Sequence, residues 1–366
     1  MMKIYIISIF FSVVILNCCK SDYYAENEKN PILLPNSDFY SFEDLTSPKF
    51  DHLIKKYSLD TIFHGETDEF KRILLLRHWI KMVISINDFG DPYPGEGYAE
   101  GILDAALKGQ GFHCGHYMVV QNAIMNAYGY VTRTLGAGPG VKGGPDGHHG
   151  INEIWLNSYN KWFLSDAKYD HHFEKDGIPL SALEIRNEFL KNQAADLVKV
   201  KGPERIPFDI DSETGLSKVR NAQTYTWIEW HGYNNIFTVW PDHKELLIMY
   251  EDDFSRNNTW IWDGKPHWAL DKPEFLKFET DRNKIYWTPN TIASIVNIEG
   301  RNCTIKLTSF TPNLKEYQMS ESAGTWRSVG DSITFRLSKP DYELVFRAVN
   351  LVNVTGPEHR ISIKSK

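Results

Sequence analysis

The sequence predicts an α+β chain, with its helices in roughly the first two hundred residues and short strands through the remainder. Three observations carry that expectation. Thr67, Asp68 and Glu69 open a segment that runs to about Ile84 with Leu75, Trp79 and Val83 in helical spacing, and its acids sit at the positive end of the helix. Residues 148–170, "HHGINEIWLNSYNKWFLSDAKYD", hold two alternating runs around the turn formers Asn157, Ser158, Tyr159 and Asn160, the pattern of a β-hairpin. From about Thr224 helical periodicity gives way to "YTWIEW", "NIFTVW", "ELLIMY" and "TWIWDG". It is followed at regular spacing by "KIYWTP", "ASIVNI", "CTIKLTSF", "KEYQMS", "ITFRL", "YELVFRAVN" and "HRISIKS", which predict a small C-terminal β-sandwich.

Taken in order, the chain opens with Lys3 and a mostly apolar stretch from Ile4 to Leu16, too short for a comfortable membrane span and suited to a signal-peptide core. The cysteines that follow, Cys18 and Cys19, resemble the bacterial lipoprotein signal. Cys19 fits better as the lipidated residue, with Leu16 three positions upstream. The expected organisation is a lipoprotein-type signal peptide over 1–19, a polar tether over 20–45, a catalytic domain over 46–200, a β-rich segment with clustered Trp over 201–285, and the β-sandwich over 286–366. Export to the cell envelope, periplasm or outer membrane, with a lipid-anchored N-terminus, follows from the first segment. A second helix is predicted from Cys114 to Tyr128, where Gly129 stops it. A strand follows from Tyr130 to Leu135, then the loop "GAGPGVKGGPDG". That loop has a nominal G-x-G-x-x-G at Gly138, Gly140 and Gly143, but no helix pattern opens behind it, as nucleotide binding requires. Ser181 and Glu184 form a capping box that starts one more helix.

Composition narrows the function classes. The 366 residues are 42% apolar and 24% charged, the balance of a folded chain. Acidic residues number 47 against 40 basic ones with no basic run, which argues against a nucleic-acid partner. Beyond the signal only Cys114 and Cys303 remain, too few for a disulfide scaffold. Pairing of those two is the bland alternative for Cys114.

Facing Leu156 with Lys161 in the hairpin brings Trp155 opposite Trp162, Glu153 opposite Leu164 and Ile151 opposite Asp166, and leaves His149 one diagonal step from Asp166. Cys114, in "GFHCGHY", starts a helix, where the dipole favours thiolate, and a nearby imidazolium would lower its pKa further. A thiol nucleophile, an imidazole base and a carboxylate that orients the ring make an acyl-transfer constellation of Cys114, His149 and Asp166.

Those residues resemble a family. A Cys at the head of "CGHYMVVQNAIMNAYGYVTRTL", then a His opening a strand with Glu four positions on, then an Asp closing the next strand after a Trp, is similar to the transglutaminase-like superfamily. The resemblance spans roughly residues 65–190 and implies a papain-like α+β core with Cys114 as nucleophile, His149 as base and Asp166 as orienter. It implies acyl transfer or amide hydrolysis without a cofactor. It departs at Gly115 and His116, which follow the nucleophile. Gln110 is a candidate oxyanion donor, with a surface glutamine as the plain alternative.

Three rivals stand beside it. His113, His116, His148, His149, His171 and His172 are dense enough to draw a zinc site with Cys114, yet no paired ligand spacing is present, so no metal is expected. Six of the eleven tryptophans fall between Trp227 and Trp268, a density that suits sugar stacking as well as a core. In that setting His149, His116 or Tyr117, with His148 in support, would act as acid or base in a lyase or dehydratase acting on uronic-acid oligosaccharides. A non-catalytic binding module is the third reading.

Overall fold

The computed structural model describes residues 22–27, 29–33, 40–88, 99–139, 147–238, 247–262, 264–321 and 324–366. The signal segment with Cys18 and Cys19 and the centre of the glycine loop lie outside these described residues. Asp68 caps the helix Glu69–Val83 by accepting the Lys71 N–H at 2.8 Å. Ser181 and Glu184 form the capping box of the helix Ala182–Asn192. The helix Cys114–Ala127 ends just before Gly129, whose φ of 72° is the left-handed conformation that a residue with a side chain rarely adopts.

The hairpin has the predicted register. His149–Leu156 pairs antiparallel with Lys161–Ser165, placing Trp155 opposite Trp162 and Glu153 opposite Leu164. The strand predicted over 130–135 runs instead from Thr132 to Gly138 and pairs with the hairpin. Beyond it the sheet continues through Trp227–His231, Leu247–Tyr250 and Leu276–Glu279, six strands in all, of which only the last pair is parallel. The sheet therefore runs without a break across the boundary expected near residue 200. The Glu69–Val83 and Cys114–Ala127 helices pack on one face, over Ile154 and Phe163. The Ala182–Asn192 helix covers Leu135, Ile151, Ile228 and Trp230 on the other. Together these make a mixed α+β core.

One buried carboxylate ties the layers together. Glu153 pairs with Arg133 (2.7 Å) and also accepts from the Trp230 indole (2.9 Å), the Tyr286 hydroxyl (2.9 Å) and the Ala182 N–H (2.7 Å). Deleting one partner of such a buried pair costs about 3–5 kcal/mol, because the other charge is left uncompensated.

Toward the C-terminus, a five-stranded and a three-stranded sheet share a second apolar core that includes Cys303, Ile305, Phe346 and Ile361. Part of the 20–45 segment, expected to be a tether, belongs to this unit. Tyr23–Asn27 pairs antiparallel with His359–Ser365 and buries Tyr23, so edge pairing and an apolar contact overcome the polarity of the segment. "KIYWTP" is not a strand: its Lys284 and Ile285 end a short helix, Arg282–Ile285, capped by Asp281, and residues 236–238 of "NIFTVW" form a turn. Trp155, Trp162, Trp287 and Phe310 pack edge to face between this unit and the core, with ring centroids 5.0 to 5.9 Å apart. Among the described residues no helix is long and apolar enough to cross a membrane.

Candidate active site

The thiol of Cys114 stands at the first position of its helix, where the backbone N–H groups are not consumed by the helix itself. His113 is the cap: its Nδ1 accepts the Gly115 N–H at 3.1 Å. Burial by itself would push the Cys114 thiol up. Hydrogen bonds with the rings of His113, His148 and His149, and the charge on His149, outweigh it and hold the thiol well below its ordinary range.

His149 opens its strand and donates from Nε2 to Asp166 Oδ2 at 2.7 Å, which leaves Nδ1 for the sulfur. Asp166 has left the hairpin ladder, which ends at Ser165. It bridges to His171 through reciprocal backbone bonds of 3.1 Å, and its Oδ1 accepts the Tyr169 N–H at 3.2 Å. The carboxylate is thereby fixed on both oxygens. Tyr169 stacks on the His149 ring, with centroids 5.4 Å apart. Burial disfavours charge on His149, but the Asp166 carboxylate and the sulfur more than offset it and raise its pKa to about 9. Asp166 is held below its usual range, since the charges of His149 and His171 overcome the opposing effect of its burial. A thiolate, an imidazolium and a carboxylate thus stand in line at neutral pH.

The line opens into a cleft of about 930 Å³. On the triad side it is lined by His113, Cys114, Gly115, His148, His149 and Tyr169; across the sheet it reaches Gly136, Glu229, His231 and Trp260. Lys168, buried beside Tyr169, also reaches the cleft and pairs with Asp88 at 2.6 Å.

The structure brings Cys114, His149, Asp166, His148 and His113 together, with His171 buried behind them, its Nε2 3.8 Å from Asp166 Oδ2, and it leaves Gln110, His116, Tyr117 and His172 outside the cleft. Gln110 is half-buried, bonds the Ala105 carbonyl through its backbone N–H, and does not line the cleft. Tyr117 is buried with its hydroxyl on the Ile84 carbonyl, and burial raises its pKa. His116 is buried against Phe112 and His113 and is held neutral by burial, with a pKa lowered to about 4. Two of the groups considered for elimination chemistry are therefore walled off from the cleft. His172 lies away from it too, between Arg77 and Glu174. Cys303 is free and buried in the other core, so no disulfide engages Cys114. No group of three or more His, Cys, Asp or Glu among the described residues is arranged to hold a metal ion. Trp227, Trp230 and Trp260 are almost fully buried, so most of the surface of these three is core, with Trp260 alone of them lining the cleft.

Sequence reasoning passed over Lys168, Tyr169, Glu229 and His231. For Lys168 and Tyr169 the signal was adjacency to Asp166. For Glu229 it was a carboxylate at the centre of a strand otherwise made of Trp, Ile and His. Compared with known proteins, the chain matches no family model, and no curated protein is significantly similar to it.

Proposed function

We propose that the chain is a thiol-dependent enzyme that transfers or hydrolyses the acyl group of an amide, on a transglutaminase-like, papain-type core followed by a β-sandwich. One observation carries the reading: a helix-start thiol in contact with an imidazole, both at the wall of an open cleft, with the far nitrogen of the ring 2.7 Å from a fixed carboxylate buried behind it. The fold gives further support, since the cysteine helix packs on the sheet whose hairpin carries the histidine and leads into the aspartate directly after its second strand. The lipoprotein-like start of the sequence supports an exported protein anchored through Cys19 or Cys18.

The chemistry follows from the charges. The Cys114 thiolate attacks the amide carbonyl carbon and the C=O pair moves to oxygen. The Cys114 backbone N–H, free of helix bonding by its position, faces the developing oxyanion. His149 then gives its Nδ1 proton to the departing amine as the C–N bond breaks, leaving a thioester. In the second half His149 takes a proton from water or an amine, which attacks the thioester and releases the thiolate. Asp166 holds the ring in the tautomer that both halves need.

The test compares Cys114→Ala and His149→Ala with the unaltered protein on a panel of peptide amides and acidic oligosaccharides. Loss of amide turnover in both variants, and on thiol alkylation, is the expected result. Unsaturated sugar formed by a fully active Cys114→Ala protein would replace this reading with elimination. Binding without turnover would replace it with a binding module.

A further inference from the structure

One wall of the cleft is supplied by the helix Lys218–Thr224 and the residue after it, which contribute Asn221, Thr224 and Tyr225. Asn221 is 5% exposed and Tyr225 1%. Even so, the amide nitrogen of the first and the hydroxyl of the second have no hydrogen-bond partner among the described residues, and neither atom is sealed from solvent. Both residues line the cleft, so that is where these two polar atoms open. Four positions apart, they lie on one side of the helix end.

Their surroundings make both of them donors. Lys199, on the strand Val198–Lys201, places its Nζ 2.6 Å from Asn221 Oδ1. An ammonium only donates, so the amide oxygen is the end that meets it and the NH2 end is left to the cleft. Burial and the charge of Asp166 raise the Tyr225 pKa, which keeps that group a hydroxyl with a proton to give.

Lys199 is itself 1% exposed and forms no ion pair among the described residues. Its contacts are the Asn221 oxygen, the Leu216 carbonyl at 3.4 Å and the Phe208 ring, 4.2 Å away at the centroid. Burial lowers its pKa to about 8 against the attraction of Asp211 and Asp166, so it is mostly ammonium at neutral pH. Those carboxylates are engaged elsewhere, Asp211 by Lys201 at 3.3 Å and Asp166 by His149 at 2.7 Å. A buried cation with no anion in contact is costly. Its hydrogen bond to Oδ1 also polarises the Asn221 amide and makes the Nδ2 hydrogens more positive.

We propose that Asn221 and Tyr225 form a subsite for a carboxylate on the acyl substrate, and that Lys199 is the positioning residue that orients and polarises the amide. The proposal rests on the thiol-dependent reading above and adds the charge of the substrate to it. A carboxylate at this wall accepts from Nδ2 and from the tyrosine hydroxyl, and brings Lys199 the negative charge that its own surroundings do not place in contact with it.

The test needs no known substrate. Chloroacetamides with tails of two to five carbons ending in carboxylate, primary amide or ammonium alkylate Cys114: the S–C bond forms, the C–Cl bond breaks and chloride leaves. Saturation kinetics separate KI, which reports the tail, from kinact, which reports the thiolate. For at least one tail length the KI of the carboxylate reagent is expected to lie about tenfold or more below that of its primary-amide twin, the scale of one charge-assisted hydrogen bond. Asn221→Asp, which keeps the shape and turns the donor into an acceptor, and Lys199→Met, each verified as folded by its melting temperature, should abolish that preference, acting on KI far more than on kinact. Tyr225→Phe should reduce it. Equal KI values for the three tails at every length, tightest binding of the amide or the ammonium, or a carboxylate preference that survives Asn221→Asp overturns the subsite and leaves the acyl-transfer reading standing. Failure of every reagent to label Cys114 overturns both.

Discussion

Cys114 and Cys303 are the same residue type, both buried and both free, and their surroundings give them opposite chemistry. Cys303 sits in the core shared by the two C-terminal sheets, where burial alone acts on it and pushes its thiol up to about 11. Cys114 meets burial as well, but also a helix start and the rings of His113, His148 and His149, and its thiol is held well below the ordinary range. Burial makes a cysteine inert, and only an added source of positive potential turns a buried thiol into a nucleophile.

The sharpest way to break this contrast is to alkylate the native protein with iodoacetamide at pH 6.5 and map the labelled peptides. Cys114 should react at least about a thousandfold faster than Cys303, because only the thiolate reacts. Comparable labelling would remove the distinction. Next in size, His149→Ala should lower kcat/KM by about 10²- to 10⁴-fold. It should also return the Cys114 thiol toward its ordinary pKa of about 8.5, read from the pH dependence of alkylation. Asp166→Asn should lose less, since the base remains and only its orientation and charge stabilisation suffer. A smaller effect is expected from Cys303→Ala, a loss of about 1–2 kcal/mol in denaturant unfolding with unchanged kcat/KM, as for a packing residue.

The smallest effect is a slope. Between about pH 6.5 and 8.5, the ordinary values of His and Cys, the unfolded chain has a neutral imidazole and a protonated thiol, while the folded site has an imidazolium and a thiolate. For these two groups the two states carry the same number of protons, so the pair adds no slope to the melting temperature across this window, and the unaltered protein is the baseline against which a variant is read. Cys114→Ser removes the compensating thiolate. His149, still raised by Asp166, then contributes stability that is complete below about pH 6.5 and declines as pH rises toward its folded value, so the melting temperature of the variant should fall relative to that of the unaltered protein as pH rises. Asp166 adds nothing to this slope, because the stability from its lowered pKa is lost only in acid.

The triad was legible because each part of it rests on local rules. The turn from Asn157 to Asn160 fixes the register, the match of Trp155 with Trp162 selects it, and the two together bring His149 beside Asp166. Helix spacing also holds a warning about His116, which lies about 200° around the helix from Cys114 and in the structure is buried away from the cleft. Tyr117 is nearer in angle, yet one turn further in, where its hydroxyl is taken by Ile84. Glu229 could not be placed from the sequence. It reaches the cleft through strand pairing with residues about ninety positions earlier, and nothing local names that partner.

Caps, turns and side-chain periodicity act over a few residues, and they were enough to specify the helix that begins at Cys114, the hairpin that sets His149 near Asp166, and the strand-rich second half. Long-range packing brought the thiol to that hairpin, paired Tyr23–Asn27 with the last strand, and put Glu229 in one cleft with Cys114. These depend on which surfaces bury one another, and that is settled by the whole chain.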